Sequence, residues 1–455
     1  MPYSNFQVQP PLEFIPPAFN PVVLRATQLI LPVWLRSRLI TQIKASNVEV
    51  LVNLYQQFQA GKIRFLLGFR HPSITDPLCM AHLLWHIVPE VAKQQGVALQ
   101  QPIHSHFLYD RGIPLWAGKH QSWLYSGLGG TPIHRGKLDR IGLRSARDLF
   151  ANGSLPIAAA PEGATNGHNE IVSPLEPGVA QLGFWCVEDL IKAGRSQEVF
   201  IVPIGIQYHY VNPPWAVLEK LLSQLEADSG LVEEAKGEES LYRRLYRLGE
   251  HLLSLMEEFY TRFYHQKLPT ASGLKQLSSN QDFATRLQAL LNAALQVAEQ
   301  YFDIQPKGNV IARCRRVEQA GWDYIYREDI NNIEALSPLE RGLSDRIAEE
   351  ANLRMWHMRL VESFVVVTGD YVLAKPTVER FAETTLLMWD MIARIKGGNP
   401  FQRPRLGKQW VQMTVGEPIS VSDRWEVYQA SRRSGKLAVA ELTHELQTAL
   451  EKMIT

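Results

Sequence analysis

Ile63 to Pro77 reads I-R-F-L-L-G-F-R-H-P-S-I-T-D-P. Its first seven residues are apolar except for Arg64 and Gly68. Such an unbroken run predicts a strand buried on both faces of a sheet. Pro72 disfavours helical angles for the residue before it, so the strand is expected to end at His71. Asp76 followed by Pro77 has the form of an N-cap and a first helical residue, so a helix is expected to start there and to run on through Trp85. A histidine thus sits at the tip of a strand and a carboxylate at the mouth of the next helix. On one continuous helix, residues five apart diverge by about 140°; the intervening turn is what lets these two meet. A neutral histidine can take a proton from a hydroxyl near neutral pH. A carboxylate bonded to its other ring nitrogen fixes the tautomer and steadies the imidazolium that forms. The plain alternative is that Asp76 only caps a helix and His71 only ends a strand.

A chain of 455 residues is long enough for two or three domain-sized units. Lys plus Arg number 47 against 46 Asp plus Glu, a balance that argues against a bulk nucleic-acid binder. Cys79, Cys186 and Cys314 are far apart and without metal-ligand spacing, which reads as a reduced, cytoplasmic compartment with no disulfide framework and no metal site. No apolar run reaches the length of a membrane span, and the N-terminus lacks the layout of a secretory signal.

Residues 1–20 are proline-rich and expected to be extended or irregular. Pro21 to Lys44 is apolar, carries Trp34, and is dotted with Arg25, Arg36, Arg38 and Lys44. Pro32 is expected to break it, so that it does not form one long helix. Residues 1–44 are therefore read as an amphipathic segment. It either lies on a membrane surface, with arginines at the phosphates, or packs on the domain. A helix is expected at about 47–60. Beyond the opening stretch, Leu138 to Ala151 reads as an amphipathic helix stopped by Gly153. Leu155 to Ala160 is a short buried strand running into Pro161-Glu162-Gly163. A helix follows at about 177–193, and Val199 to Gln207 is another buried strand. Short apolar strands alternating with helices predict an α/β domain, a mixed sheet with helices on both faces. Ligands bind such sheets at the carboxyl ends of strands. His71, Arg135 and Glu162 all fall near such ends.

After Pro213-Pro214 the pattern changes. Leu241 to Phe263, Phe283 to Tyr301, a stretch opened by the capping box Ser337-Pro338-Leu339-Glu340, and Pro376 to Lys396 all read as helices. Pro269 to Asn280 reads as a polar linker. Strand character returns only at Gln409 to Val421, followed by a closing helix, Leu437 to Met453. The expected organisation is a core at 45–215, a large α-helical insertion at 216–405, and the closing strand and helix of the core at 406–455.

The order of motifs resembles the phospholipid/glycerol acyltransferase family, which includes the 1-acylglycerol-3-phosphate and glycerol-3-phosphate acyltransferases. The family's H-x-x-x-x-D is matched by His71 and Asp76. Its glycine, apolar residues and arginine are matched by Gly130-Thr131-Pro132-Ile133-His134-Arg135. Its F-P-E-G-T-R is matched by Ala160-Pro161-Glu162-Gly163-Ala164-Thr165, and its V-P-I strand by Val202-Pro203-Ile204. A G-x-P-I strand is matched by Gly416-Glu417-Pro418-Ile419. The resemblance covers roughly 45–215 and 406–455. It implies a glycerolipid acyltransferase-like α/β fold and transfer of a fatty acyl group from acyl-CoA or acyl carrier protein to a hydroxyl of a glycerol phosphate or lysophospholipid, best 1-acylglycerol-3-phosphate, in phospholipid synthesis. It implies no cofactor beyond that acyl donor. It also implies a general base at His71 oriented by Asp76, an acceptor-phosphate ligand at Arg135, an acceptor site shaped by Glu162 and Gly163, and an acyl-binding strand bordered by Pro203. The expected partners are the donor, the lipid acceptor and a membrane surface.

The third motif departs from the family. Ala160 replaces its aromatic residue and Thr165 its arginine, which removes one expected phosphate ligand. Arg70, Arg111, Lys137 or Arg140 are the candidates to replace it, and His168 a candidate further contact. The departure also supports a rival reading, an altered member with another acceptor or a non-catalytic protein that binds lipid or a partner. A hydrolase would need a nucleophile or metal cluster that the sequence does not display.

Overall fold

The computed structural model describes residues 7–113, 119–134, 139–231, 240–269, 279–330, 332–364, 370–400 and 402–454. The chain divides into two compact units. One takes most of the chain between Phe14 and Asn212 and the chain from Gly407 onward. Its described residues form an eight-stranded mixed sheet. The strands are β1 (Ile40–Ser46), β2 (Ile63–Phe69), β3 (His106–Asp110), β4 (Gly130–Ile133), β5 (Ile157–Ala159), β6 (Glu198–Tyr210), β7 (Gln409–Val415) and β8 (Ile419–Ser420). Their order across the sheet is β1-β7-β6-β2-β5-β3-β4, with β8 beside the start of β6. From β6 to β4 all neighbours are parallel, so the carboxyl ends of five strands share one edge. β7 runs antiparallel to β6, pairing Val411 with Tyr208, and parallel to β1.

The opening stretch is buried because it is central. Ile63, Phe65, Leu67 and Phe69 enter one core with the helices Val48–Gln59 and Asp76–His82. Leu66 enters a second core, on the other face, with the helices Gly178–Lys192 and Arg432–Lys452. The two interruptions of the apolar run have uses on that second face. Arg64 donates from Nε to the Phe150 carbonyl (2.7 Å) and from Nη2 to that of Gly153 (2.8 Å), closing the C-terminus of the helix Arg140–Asn152. A cation there also meets the negative end of the helix dipole. Gly68 lies under Leu446.

β2 ends at Phe69 rather than at His71, although Arg70 N–H still bonds the Ile204 carbonyl of β6 (3.0 Å). Asp76 is the first residue of its helix, with Thr75 at the cap position and making no side-chain cap bond. The Asp76 carboxylate turns back toward His71 instead of capping. The helix then widens at Leu83–Ile87 before continuing as Val88–Gln94. Pro89 supplies the reason, since its ring would clash with the Trp85 carbonyl in a regular turn.

The N-terminal reading needs correction. Pro21–Ser37 is one helix with Pro32 inside it. Pro32 lies on the exposed side, where water can take the Gln28 carbonyl that it leaves without a donor. Residues 40–44 belong to β1, an edge strand of the sheet, so Pro21 to Lys44 is not separate from the core. β1 carries no clear strand signature in the sequence, because Gln42 and Lys44 lie on its uncovered face and an irregularity between Ile40 and Gln42 also leaves Thr41 exposed.

The second unit takes Pro213–Leu406 and the described part of the first thirteen residues. Its main helices are Trp215–Asp228, Leu241–Tyr264, Ser279–Tyr301, Val310–Ile325, Pro338–Phe364 and Val378–Ile395. Trp215–Asp228 and Val310–Ile325 were not anticipated. Ser337 and Glu340 form the expected reciprocal cap. Much of the linker expected at Pro269–Asn280 lies outside the described residues. The helices are tied by ion pairs of buried arginines. Arg286 reaches Glu250 (2.8 Å) and Glu257 (2.7 Å), and Arg313 reaches Glu299 (2.7 Å).

Candidate functional site

His71 leaves the carboxyl end of β2, and the turn through Pro72 and Ser73 brings Asp76 back beneath it. His71 Nδ1 lies 3.0 Å from Asp76 Oδ2. The same oxygen accepts the Ser73 amide (2.8 Å), while Asp76 Oδ1 accepts the hydroxyl of Tyr208. Asp76 is fully buried, whereas the His71 side chain keeps 21% of its surface exposed. A buried carboxylate survives only with such partners. With Nδ1 directed at Asp76, the imidazole presents Nε2 to whatever enters.

The main chain of His71 is fixed from the other side. Its N–H donates to Glu162 Oε1 (2.8 Å). Glu162 Oε2 accepts from Ser173 N (2.9 Å) and Asn166 Nδ2 (3.0 Å), and the residue is almost fully buried. Glu162 therefore braces the histidine and its own loop. Its two oxygens are engaged by protein, so an effect on acceptor binding would pass through His71. Gly163 follows in the left-handed region, at φ +73°, and a Cβ there would sit 2.2 Å from Glu176 Oε1. Only glycine fits both the angle and that carboxylate.

Arg70, next to the catalytic candidate, points inward. Its guanidinium donates to the carbonyls of His168 (3.0 Å), Asn169 and Ile171 (2.6 Å), and Nε lies 3.8 Å from Glu162 Oε1. It is fully buried and so cannot replace the missing third-motif arginine at a substrate. Arg111 is buried too, pairing with Asp139 (2.5 Å) and lying over the Phe14 ring. Arg140 is exposed on its helix. Arg135, the phosphate-ligand candidate, and Lys137 lie outside the described residues. His168 is buried and folds back onto its own loop, Nδ1 lying 2.8 Å from the Asn166 carbonyl; it is a structural residue rather than a substrate contact.

Pro203 is buried in β6 opposite Gly68. Its carbonyl accepts the Gly416 amide (2.9 Å). In a strand the N–H and C=O of one residue point the same way, so the missing donor faces the break between β7 and β8.

Tyr208 and Asn169 were not picked out from sequence. Asn169 clasps the Tyr208 backbone, accepting its N–H (2.8 Å) and donating to its carbonyl (2.9 Å). Burial, together with the neighbouring Asp76 charge, holds the Tyr208 phenol well above its ordinary pKa, so it stays a proton donor to Asp76. Cys79, 3.6 Å from that hydroxyl, is also pushed up by burial and remains a thiol rather than a nucleophile. Among the described residues, no group of three or more His, Cys, Asp or Glu side chains is arranged to hold a metal ion, and no helix is long and apolar enough to cross a membrane.

The arrangement is a partly exposed histidine on a buried, hydrogen-bonded carboxylate, at the strand-end edge of a parallel sheet region. It can accept a proton from a hydroxyl and return it. The chain matches no protein-family model and no curated protein.

Proposed function

We propose that the protein is a glycerolipid O-acyltransferase. The reading rests on one observation above the others, the His71–Asp76 contact with Asp76 buried and fixed by Ser73 and Tyr208. The acceptor hydroxyl gives its proton to His71 Nε2 while its oxygen attacks the thioester carbonyl of acyl-CoA or acyl carrier protein. The tetrahedral intermediate collapses, the C–S bond breaks, and the imidazolium returns the proton to the departing thiolate. The products are an ester and a thiol. Asp76 holds the tautomer and offsets the charge on the ring. The motif order is similar to that of the phospholipid/glycerol acyltransferases, and it assigns the acceptor phosphate to Arg135, a bidentate ligand. The commitment of Arg70 to its own loop favours an acceptor whose anionic group needs no third-motif arginine.

The test is thiol release by the purified full chain, with 1-acylglycerol-3-phosphate, glycerol-3-phosphate or a lysophospholipid as acceptor, and acyl-CoA or acyl carrier protein as donor. Acceptor-dependent release with at least one pair is expected. Its absence with every pair would leave the rival reading, an altered member with another acceptor or a non-catalytic protein.

The protein is further proposed to work at a membrane surface. The outward side of the helix Pro21–Ser37 presents Val22, Leu29 and Val33, exposed by 72%, 81% and 62%, with Arg25 and Arg36 alongside. No acidic residue stands between residues 14 and 48. An apolar ridge flanked by arginines suits an anionic lipid surface. Replacing Leu29 and Val33 by glutamate is expected to weaken sedimentation with anionic vesicles by about tenfold or more, since burial of one such side chain is worth about 1.5–3 kcal/mol. Equal sedimentation of variant and parent would make this face ordinary protein surface.

A further inference from the structure

We infer that Tyr208 is a positioning residue of the site, a third member that sets the orientation of Asp76 and through it the tautomer of His71. The inference rests on the acyltransferase reading only for its effect on turnover.

The geometry is specific. A carboxylate has two oxygens, and here each has its own assignment. Oδ2 faces His71 Nδ1 and the Ser73 amide, and Oδ1 takes the Tyr208 hydroxyl. Without a donor at Oδ1 the buried carboxylate would be only half satisfied. It would then gain by rotating toward other donors, at the expense of the His71 contact. The tyrosine is itself held. It is nearly fully buried, stands on the same face of β6 as Val202, Ile204 and Ile206, and is clasped at both backbone groups by Asn169. β7 extends this part of β6, with Val411 opposite Tyr208. The hydroxyl therefore arrives under the helix that begins at Asp76 from a rigid strand rather than from a loop. Asn169 belongs to the segment gripped by Arg70, whose neighbour is His71. The ring, its carboxylate and the tyrosine are thus tied into one hydrogen-bonded unit spanning β2, β6 and the loop after β5.

The experiment uses Tyr208→Phe in the full chain, with Tyr55→Phe as a control. Tyr55 is equally buried but donates to the His104 carbonyl (2.9 Å), away from the dyad. Both variants keep the ring volume, and thermal unfolding measures what each loses in stability. The direct readout is the ¹⁵N shift pair of the His71 ring at neutral pH. The parent and Tyr55→Phe are expected to show the Nδ1–H form, and Tyr208→Phe a mixture of the two neutral forms. In turnover, Tyr208→Phe is expected to lower kcat by about 10–100-fold, as for other residues that orient a reacting group from behind, with acceptor KM little changed. A pure Nδ1–H form in Tyr208→Phe overturns the assignment, as does a kcat no lower than that of Tyr55→Phe. The nitrogen shifts need no turnover. If no acceptor is acylated by the parent, the functional reading fails while the shifts still decide the role of Tyr208.

Discussion

Replacing His71 by alanine is expected to lower kcat by about 10²–10⁴-fold, the usual contribution of a general base. The fold should survive the change. The imidazole is partly exposed at the end of β2, and the atoms lost with it fill no core position. Asp76 would keep two of its three partners, the Ser73 amide and the Tyr208 hydroxyl. Those bonds spare the variant the large penalty of an unpaired buried charge. The stability loss should stay near about 1 kcal/mol, the value of an ordinary hydrogen bond. Thiol release and thermal unfolding, measured on one preparation, check both halves. Near-normal kcat in His71→Ala would remove the histidine from the mechanism. A collapse of the fold would show that the ring serves structure first.

Much of the sheet unit is legible in the sequence for a simple reason. β2, β5 and β6 are central and parallel, and burial on both faces writes itself as continuous apolar residues. The His71–Asp76 pair is legible because Pro72 and Pro77 punctuate the stretch on either side of the turn. The return to strand character at Gln409 is visible for the same kind of reason, and β7 does pair with β6. What stayed hidden depends on partners remote in sequence. Tyr208 stands 132 residues from Asp76, so no local pattern connects them. β1 alternates irregularly because its pairing with β7 shifts register between Ile40 and Gln42. Arg70 is the sharpest case. Beside the candidate base, an arginine reads as a free cation looking for a phosphate. Only the loop Glu162–Ser173, wrapped around it, reveals that both of its terminal nitrogens are already taken by loop carbonyls.

That distinction leads to the largest expected change in stability. Arg70→Met should lower the melting temperature of the sheet unit strongly while leaving the acceptor KM of the folded protein unaltered. The methionine fills most of the space, so the loss is chiefly polar. The loop carbonyls of His168, Asn169 and Ile171 lose the guanidinium, the last keeping Asn166 Nδ2 (2.7 Å). Glu162 loses the cation 3.8 Å away and is left as a buried carboxylate held by neutral donors alone. Removing one partner of a buried charged pair typically costs about 3–5 kcal/mol. For a unit of this size each kcal/mol shifts the midpoint by about 2–4 °C, so a drop of about 6–20 °C is expected. Arg70→Lys should recover little. An ammonium is a compact point charge and cannot span three carbonyls set around a planar fork. The opposite reading, in which Arg70 stands in for the absent third-motif arginine, makes the opposite forecast for both variants. A substrate-binding arginine would raise the acceptor KM and leave the melting temperature alone, and lysine would rescue part of the affinity. Thermal unfolding and acceptor saturation curves for the two variants separate these outcomes. A rise in KM without loss of stability would return Arg70 to the acceptor site.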